Sequence, residues 1–476
     1  MESETSAEDA YLFRHVLLRD AAYQLHRPSD RAKLHGLAFE LVEGLFGGQA
    51  PDPPPLTEED SKPLRPHPTD PVAQDLVYHA TRADDSDTGV HEHWAARRVL
   101  YLRRMAEQAD RVYRAAEAIA AWEELAGALN DDTERALALR RAAIALYQNG
   151  QIARAEFNCR SALSVLRANS NHRAAGMILT TAASLYISIG RLSEAIAACR
   201  EAIEYARSTG NRRTEGTASG NMGIALLQLG RVEQAQAALS EATSILDEAG
   251  DQRASAAFAG SLAGLYVSIG KLELAERLFS RAKEVHQVCG DMRNEAATLV
   301  NIGILLRQLG KDEQGEQSVR QAIAISRAIG DRRGEAAGLS NLANFVFASS
   351  SMNEAIRTYA RALTLHREVN DRRFEGVTLG NLAVAYLKIG NFPLAKEAFE
   401  HSIAIHQEVG HARFEGVHRC YFALYFLAIK DFDSARSQWR AGSQLLGEVK
   451  DHVELERRAA EMRRACAKAG VAPLDE

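Results

Sequence analysis

Catalysis needs nucleophiles, acids or metal ligands within reach of one another, and this sequence offers few such groupings. His91-Glu92-His93 places two imidazoles at a spacing that suits neither face of a helix, with no third donor near. A zinc site needs three or four ligands, so these residues read as a solvated loop. His286, His366 and His406 stand at one place in three units of forty residues. Helices about 8–10 Å apart cannot easily bring two such rings to one ion, and they read as polar residues near a helix end. Cys159, Cys199, Cys289, Cys420 and Cys466 have no CxxC spacing, and Cys159 and Cys199 fall at equivalent places where other units carry bulky apolar residues. They read as buried thiols in a reducing compartment. Scattered serines, histidines and acids do not define a triad. No GxxxxGK[ST] loop occurs, so the phosphate cradle of a nucleotide hydrolase is missing. The sequence therefore predicts no catalytic residues, no metal and no cofactor.

A different set of polar residues keeps strict register. Asn221, Asn301, Asn341 and Asn381 lie at multiples of forty, with Thr181, Ser261 and Tyr421 at the same place in other units. An amide offers donors and an acceptor, so a row of them suits the backbone of a bound segment whatever its sequence. A side-chain tie between neighbouring helices is the other reading. Eight residues before each stands an arginine: Arg173, Arg213, Arg253, Arg293, Arg333, Arg373 and Arg413. On a helix it falls within about 20° of the positions seven and eleven residues on, which are small or apolar. The arginines either rim a groove and favour acidic flanks or pair with acids of the next unit. Candidate groove residues are Asn221, Asn301, Asn341, Asn381, Arg293, Arg333, Arg373 and Arg413, with Ile304, Phe347, Val384 and Leu387 as apolar contacts.

The elements that must carry these residues are helices. A glycine stands at 150, 190, 230, 270, 310 and 390, with Ser350 and Lys430 completing the series. Five residues on comes Ala155, Ala195, Ala235, Ala275, Gly315, Ala355, Ala395 or Ala435, and four further a larger residue such as Leu239, Phe279, Tyr359 or Trp439. Small residues recur three beyond that, so each unit presents a close-approach stripe and a filling residue. The first helix of a unit follows Asn171, Asn211, Asp251, Asp291, Asp331 or Asp371, which can cap its free N–H groups. It ends at the glycine, which can take a left-handed conformation. Eight two-helix units are predicted over 131–450.

This order resembles the tetratricopeptide repeat, lengthened from 34 to forty residues as in Pins-type adaptors and kinesin light chains. HEAT-like repeats share the period but not the sequence of glycine, small, large and small residues. The resemblance implies an all-α, right-handed superhelical solenoid whose first helices line a concave groove for peptide. The segments "YLFRHVLLRDAAYQLHRPSDRAKLHGLAFELVEG", "VAQDLVYHATRA" and "WAARRVLYLRRMAEQADRVYRAAEAIAAWEEL" resemble the connecting helices of bacterial STAND-type signalling ATPases. Without the phosphate loop, that resemblance implies a sensor arm rather than a motor, and an intramolecular or intermolecular contact with a signalling ATPase.

The expected organisation is an N-terminal helical segment (1–46), a proline-rich linker (47–71), connecting helices (72–130), the repeats (131–450) and a C-terminal capping helix and tail (451–476). The charge balance, 57 basic against 63 acidic residues, is too even for a nucleic-acid or anionic-membrane partner. No apolar run is long enough to span a bilayer, and "MESETSAEDAYLF" lacks a signal core, so a cytoplasmic location is expected. The function expected is a non-catalytic scaffold for a protein or peptide partner in signalling. The alternative is a ligand- or signal-peptide-sensing arm that regulates a separate or missing STAND-type ATPase.

Overall fold

A computed structural model describes residues 23–57, 65–84, 91–349, 351–449 and 451–475. Residues 11–22 of the first STAND-like segment, the middle of the proline-rich stretch and Ser350 lie outside them. Every regular element among the described residues is helical, and the chain divides into two compact units, one ending at Ala145 and one starting at Leu146.

The first unit contains α1 (Pro28–Leu45), α2 (Ala73–Ala83), α3 (His91–Arg111), α4 (Ala115–Ala128) and most of α5 (Asp132–Gln148). Its core is Phe39, Leu76, Tyr101, Leu102, Trp122 and Leu125, all essentially buried. Trp122 pairs its indole N–H with Asp110 at 2.9 Å, as a buried indole requires. The proline-rich stretch is tied down where it is described. The Leu56 N–H donates to Glu134 at 3.1 Å, and Arg104 donates to Asp70 at 2.7 Å and to the Arg65 carbonyl at 3.0 Å. Glu92 and His93 sit exposed on the first turn of α3.

The second unit continues through α6 (Ile152–Ala168), α7 (His172–Ser188), α8 (Leu192–Thr209), α9 (Arg212–Gln228), α10 (Val232–Glu248), α11 (Gln252–Ser268) and α12 (Leu272–Val288). It goes on with α13 (Met292–Gln308), α14 (Asp312–Ala328), α15 (Arg332–Ala348), α16 (Met352–Glu368), α17 (Arg372–Lys388), α18 (Phe392–Glu408), α19 (Ala412–Ala428) and α20 (Phe432–Glu448). The final α21 (His452–Ala469) buries Met462 and Cys466 against Trp439 and Leu446. The predicted small residues Ala195, Ala235, Ala275, Ala355 and Ala395 are fully buried, beside Leu239, Phe279, Tyr359 and Phe399. The period of the sequence is thus the period of the core, and each helical hairpin packs against its neighbours.

The solenoid also meets itself. Gly150, Gly190 and Gly230 lie against the backbone of Val369, Val409 and Val449, about five and a half repeats further along. A β-carbon on Gly190 would stand 2.4 Å from the Val409 carbonyl oxygen, and its φ is +81°. This turn therefore needs glycine both for its left-handed backbone and for the approach of the next superhelical turn. Concave residues of early repeats consequently face those of later ones.

Candidate functional site

The arginine register is explained by the caps. Asp251, Asp291, Asp331 and Asp371 each accept the N–H three residues on with one carboxylate oxygen. The other oxygen meets the arginine of the preceding repeat. Arg253 reaches Asp291 at 2.6 Å, Arg293 reaches Asp331 at 3.4 Å, Arg333 reaches Asp371 at 3.5 Å and Arg413 reaches Asp451 at 2.6 Å. Each Asp thus closes a helix end and links two repeats. Of the two readings open in the sequence, the ion-pair contacts are present for Arg293, Arg333 and Arg413.

The asparagines differ among themselves. Asn221 is buried and donates to the Thr180 carbonyl and to Ser184, both at 3.1 Å, which ties α9 to α7. Asn381 donates to Asn344 at 3.4 Å, across to α15. Asn341 donates to Ala337 of its own helix at 2.9 Å, and Asn301 is half-buried on α13. Val384 is buried, Phe347 and Leu387 are partly buried against the same core, and Ile304 is about one-third exposed at 36%.

Two recesses open on the first helices. One, of about 420 Å³, is lined by Ile304, Arg307, Asn341, Asn344, Phe345 and Arg457. The Arg307 guanidinium lies over the Phe345 ring, 5.6 Å from its centroid. The other, of about 410 Å³, gathers Tyr147, Ser184, Asn221, Arg333, Arg373 and Phe374. Its walls come from repeats that are distant in sequence and adjacent across the superhelical turn. The Arg333 guanidinium stacks 4.6 Å from the centroid of Tyr147. Of the residues named from the sequence for a groove, Ile304 and Asn341 line the first recess and Asn221, Arg333 and Arg373 the second, while spacing gave no sign of Tyr147, Arg307, Phe345 or Arg457.

At Arg373 the ladder changes. The cap position of the next repeat is His411, which accepts no helix N–H with its side chain. Arg373 donates instead to His411 Nε2 at 3.2 Å. His411 joins His406 and His418, with Phe414 packed among the rings. Ser402 gives its hydroxyl proton to the Gly376 carbonyl at 2.8 Å, so its oxygen accepts from His418 Nδ1 at 3.1 Å. The same His418 N–H faces His406 Nε2 at 2.9 Å. This arrangement holds His406 neutral, because a proton on its Nε2 would meet another N–H. Burial, with Arg373 beside it, pushes His406 down to about 4. Burial and then Arg373, His406 and Arg413 take His411 to about 2. His418 is driven well below the usual imidazole value by burial first, then by His406, His411 and Arg458. The sequence reading put His406, His366 and His286 at a helix end as polar residues; the structure buries all three. The departure of position 411 from the Asp/Asn register was the available signal. Among the described residues no three His, Cys, Asp or Glu side chains converge as metal ligands.

The Tetratricopeptide repeat model matches residues 174–248, 253–328 and 334–408. With the helical hairpins above, these stretches define a tetratricopeptide-repeat solenoid. Among solved structures, a Rap protein complexed with Competence and Sporulation Factor is similar at 15% identity over 74% of this chain and 98% of its own, with a TM-score of 0.56. That likeness is one of fold. A signal transduction ATPase with numerous domains and a tetratricopeptide repeat sensor, from Pyrococcus horikoshii, aligns at 13% identity over 98% of this chain and 67% of its own, TM-score 0.46. BtubC from P. vanneervenii aligns at 21% identity over 50% of this chain and 92% of its own, TM-score 0.34. No curated protein matches the sequence. No described helix is long and apolar enough to cross a membrane.

Proposed function

We propose that the protein is a non-catalytic, cytoplasmic interaction scaffold that takes a peptide segment of a signalling partner along the first helices of its repeats. The observation that carries this reading is the row of half-buried amides, Asn301, Asn341 and Asn381, on three successive first helices beside Ile304 and Leu387. Adjacent first helices lie about 8–10 Å apart, and an extended chain advances about 3.3 Å per residue. One amide per repeat therefore suits roughly every third peptide residue, with apolar contacts between. The Rap structure named above is a complex with Competence and Sporulation Factor, and its likeness in fold is consistent with a binding role. Replacing Asn301, Asn341 and Asn381 together by Ala should weaken a bound peptide by about 1–3 kcal/mol, the cost of leaving its backbone groups unpaired. A folded triple variant that binds as the parent does would remove the amides from the site.

A second reading, a sensing arm that controls a separate ATPase, is favoured by the recess at Tyr147 and Arg373. A ligand there would touch two superhelical turns at once, as a sensor needs. Either way the chain should not hydrolyse nucleotides, because it has no phosphate-binding loop. ATP turnover that follows the protein through gel filtration would contradict this.

A further inference from the structure

From Arg213 onward the arginine ladder sets each cation against the cap carboxylate of the next repeat, except at Arg373. Arg253, Arg293, Arg333 and Arg413 each face the cap carboxylate of the next repeat. Arg373 faces a neutral imidazole, His411, and among the described residues no carboxylate comes within ion-pair distance of it. The same side chain lines the 410 Å³ recess with Arg333, Tyr147, Ser184, Asn221 and Phe374. Asp371, also at the recess, answers Arg333 at 3.5 Å. Two guanidiniums and one carboxylate leave a single positive charge beside hydroxyl and amide groups.

We infer that this recess takes a carboxylate of the bound peptide segment, and that this carboxylate completes the rung which His411 leaves open. The inference rests on the peptide-binding reading above and names what part of the peptide the recess selects. A carboxylate matches the residual charge of one, where a dianionic phosphate would exceed it. Burial disfavours the Arg373 cation and Asp371, which it shares with Arg333, only partly offsets this, so an incoming anion is rewarded by more than it would be in water. The aromatic faces of Tyr147 and Phe374 and the walls from Ile187 and Ile224 suit the apolar neighbours of such a residue.

The test is affinity selection of a synthetic random nonapeptide library on the full-length protein, with the bound peptides sequenced. Three libraries separate the sources of the anion: free C-terminus, C-terminal amide, and amide with phosphoserine in place of Asp and Glu. The wild type should enrich Asp or Glu at one position, or a free C-terminus, and the phosphoserine library should do no better. His411→Asp supplies the missing carboxylate from within, in the form five other rungs already use, so it should fold at least as well. It should still select peptides but lose the acid enrichment about tenfold or more. Arg373→Gln should lose it too. Peptides selected without acid preference, an H411D variant with unchanged preference, or a preference for phosphoserine would overturn the carboxylate assignment and leave the groove intact. Failure to select any peptide would overturn the groove and this inference together.

Discussion

Arg253 and Arg373 occupy one position in two repeats, three units apart, and their surroundings could hardly differ more. Arg253 is mostly exposed and donates to Asp291, whose other oxygen caps a helix. Arg373 is half-buried and meets a cluster of imidazoles that burial keeps neutral. The comparison shows how a repeat distributes its work. Where the register is kept, charge is settled between neighbours and the residues are structural. Where it is broken, a charge is left for something else to answer, and three imidazoles gather in the core beside it.

The largest difference between the two regions should appear with pH. His406, His411 and His418 have folded-state values below the unfolded 6.5, so the stability they allow is complete above that value and lost as pH falls below it. Each contributes up to about 1.4 kcal/mol per pH unit below 6.5, or about 3–4 kcal/mol for the three at pH 5.5. Hydrogen exchange corrected for intrinsic rate should show α17 to α20 opening at pH 5.5 while α9 to α11 stay protected. Uniform loosening along the solenoid would dissolve the contrast.

Glycine substitutions sharpen it next. A β-carbon on Gly380 would stand 2.1 Å from His418, whereas nothing lies within 4 Å of one on Gly260, at the same place in an earlier repeat. Gly380→Ala should destabilise by about 1–3 kcal/mol through overpacking. Gly260→Ala should instead gain about 0.5–1 kcal/mol from the backbone. Chemical denaturation monitored by circular dichroism separates the two signs, and equal effects would mean that the histidine does not fill the space.

Cap removal is smaller. Asp291→Ala loses a helix cap and a rung and should cost about 1–2 kcal/mol. His411→Ala loses no cap and should leave the start of α19 unchanged in exchange protection. At the small end, the exposed pair Arg320–Glu316, at 2.7 Å, should be worth no more than about 0.5 kcal/mol in a double-mutant cycle.

Much of this was legible in the residues, and for a physical reason. A solenoid repeats its local contacts, so the small residues, the caps and the turns had to recur every forty positions, and Ala275 with Phe279 or Asp331 with Gly330 could be placed from spacing alone. What spacing cannot show is contact between repeats far apart in sequence. The approach of Gly190 to Val409 depends on the superhelical rotation that accumulates over several units, and so does the meeting of Tyr147 with Arg333. Nor does register separate a tie from a ligand contact. Asn221 and Asn301 occupy equivalent positions, yet the structure ties one between helices and leaves the other half-buried on α13. The irregular first unit offered helical periodicity but no period of its own. Its boundary with the repeats was proposed at residue 131, whereas the compact units divide after Ala145, inside α5. A chain of residues 131–470 should melt cooperatively as a helical protein, and aggregation would move that boundary.

The central claim is that a peptide segment lies along the first helices, and its most direct test is a hydrogen-exchange footprint of the full chain with a peptide selected from the random nonapeptide library. The account predicts protection concentrated on α13, α15 and α17, at the turns that carry Asn301, Asn341 and Asn381, with the second helices α14 and α16 unchanged. Protection confined to the second helices, or to the unit before Ala145, would contradict it.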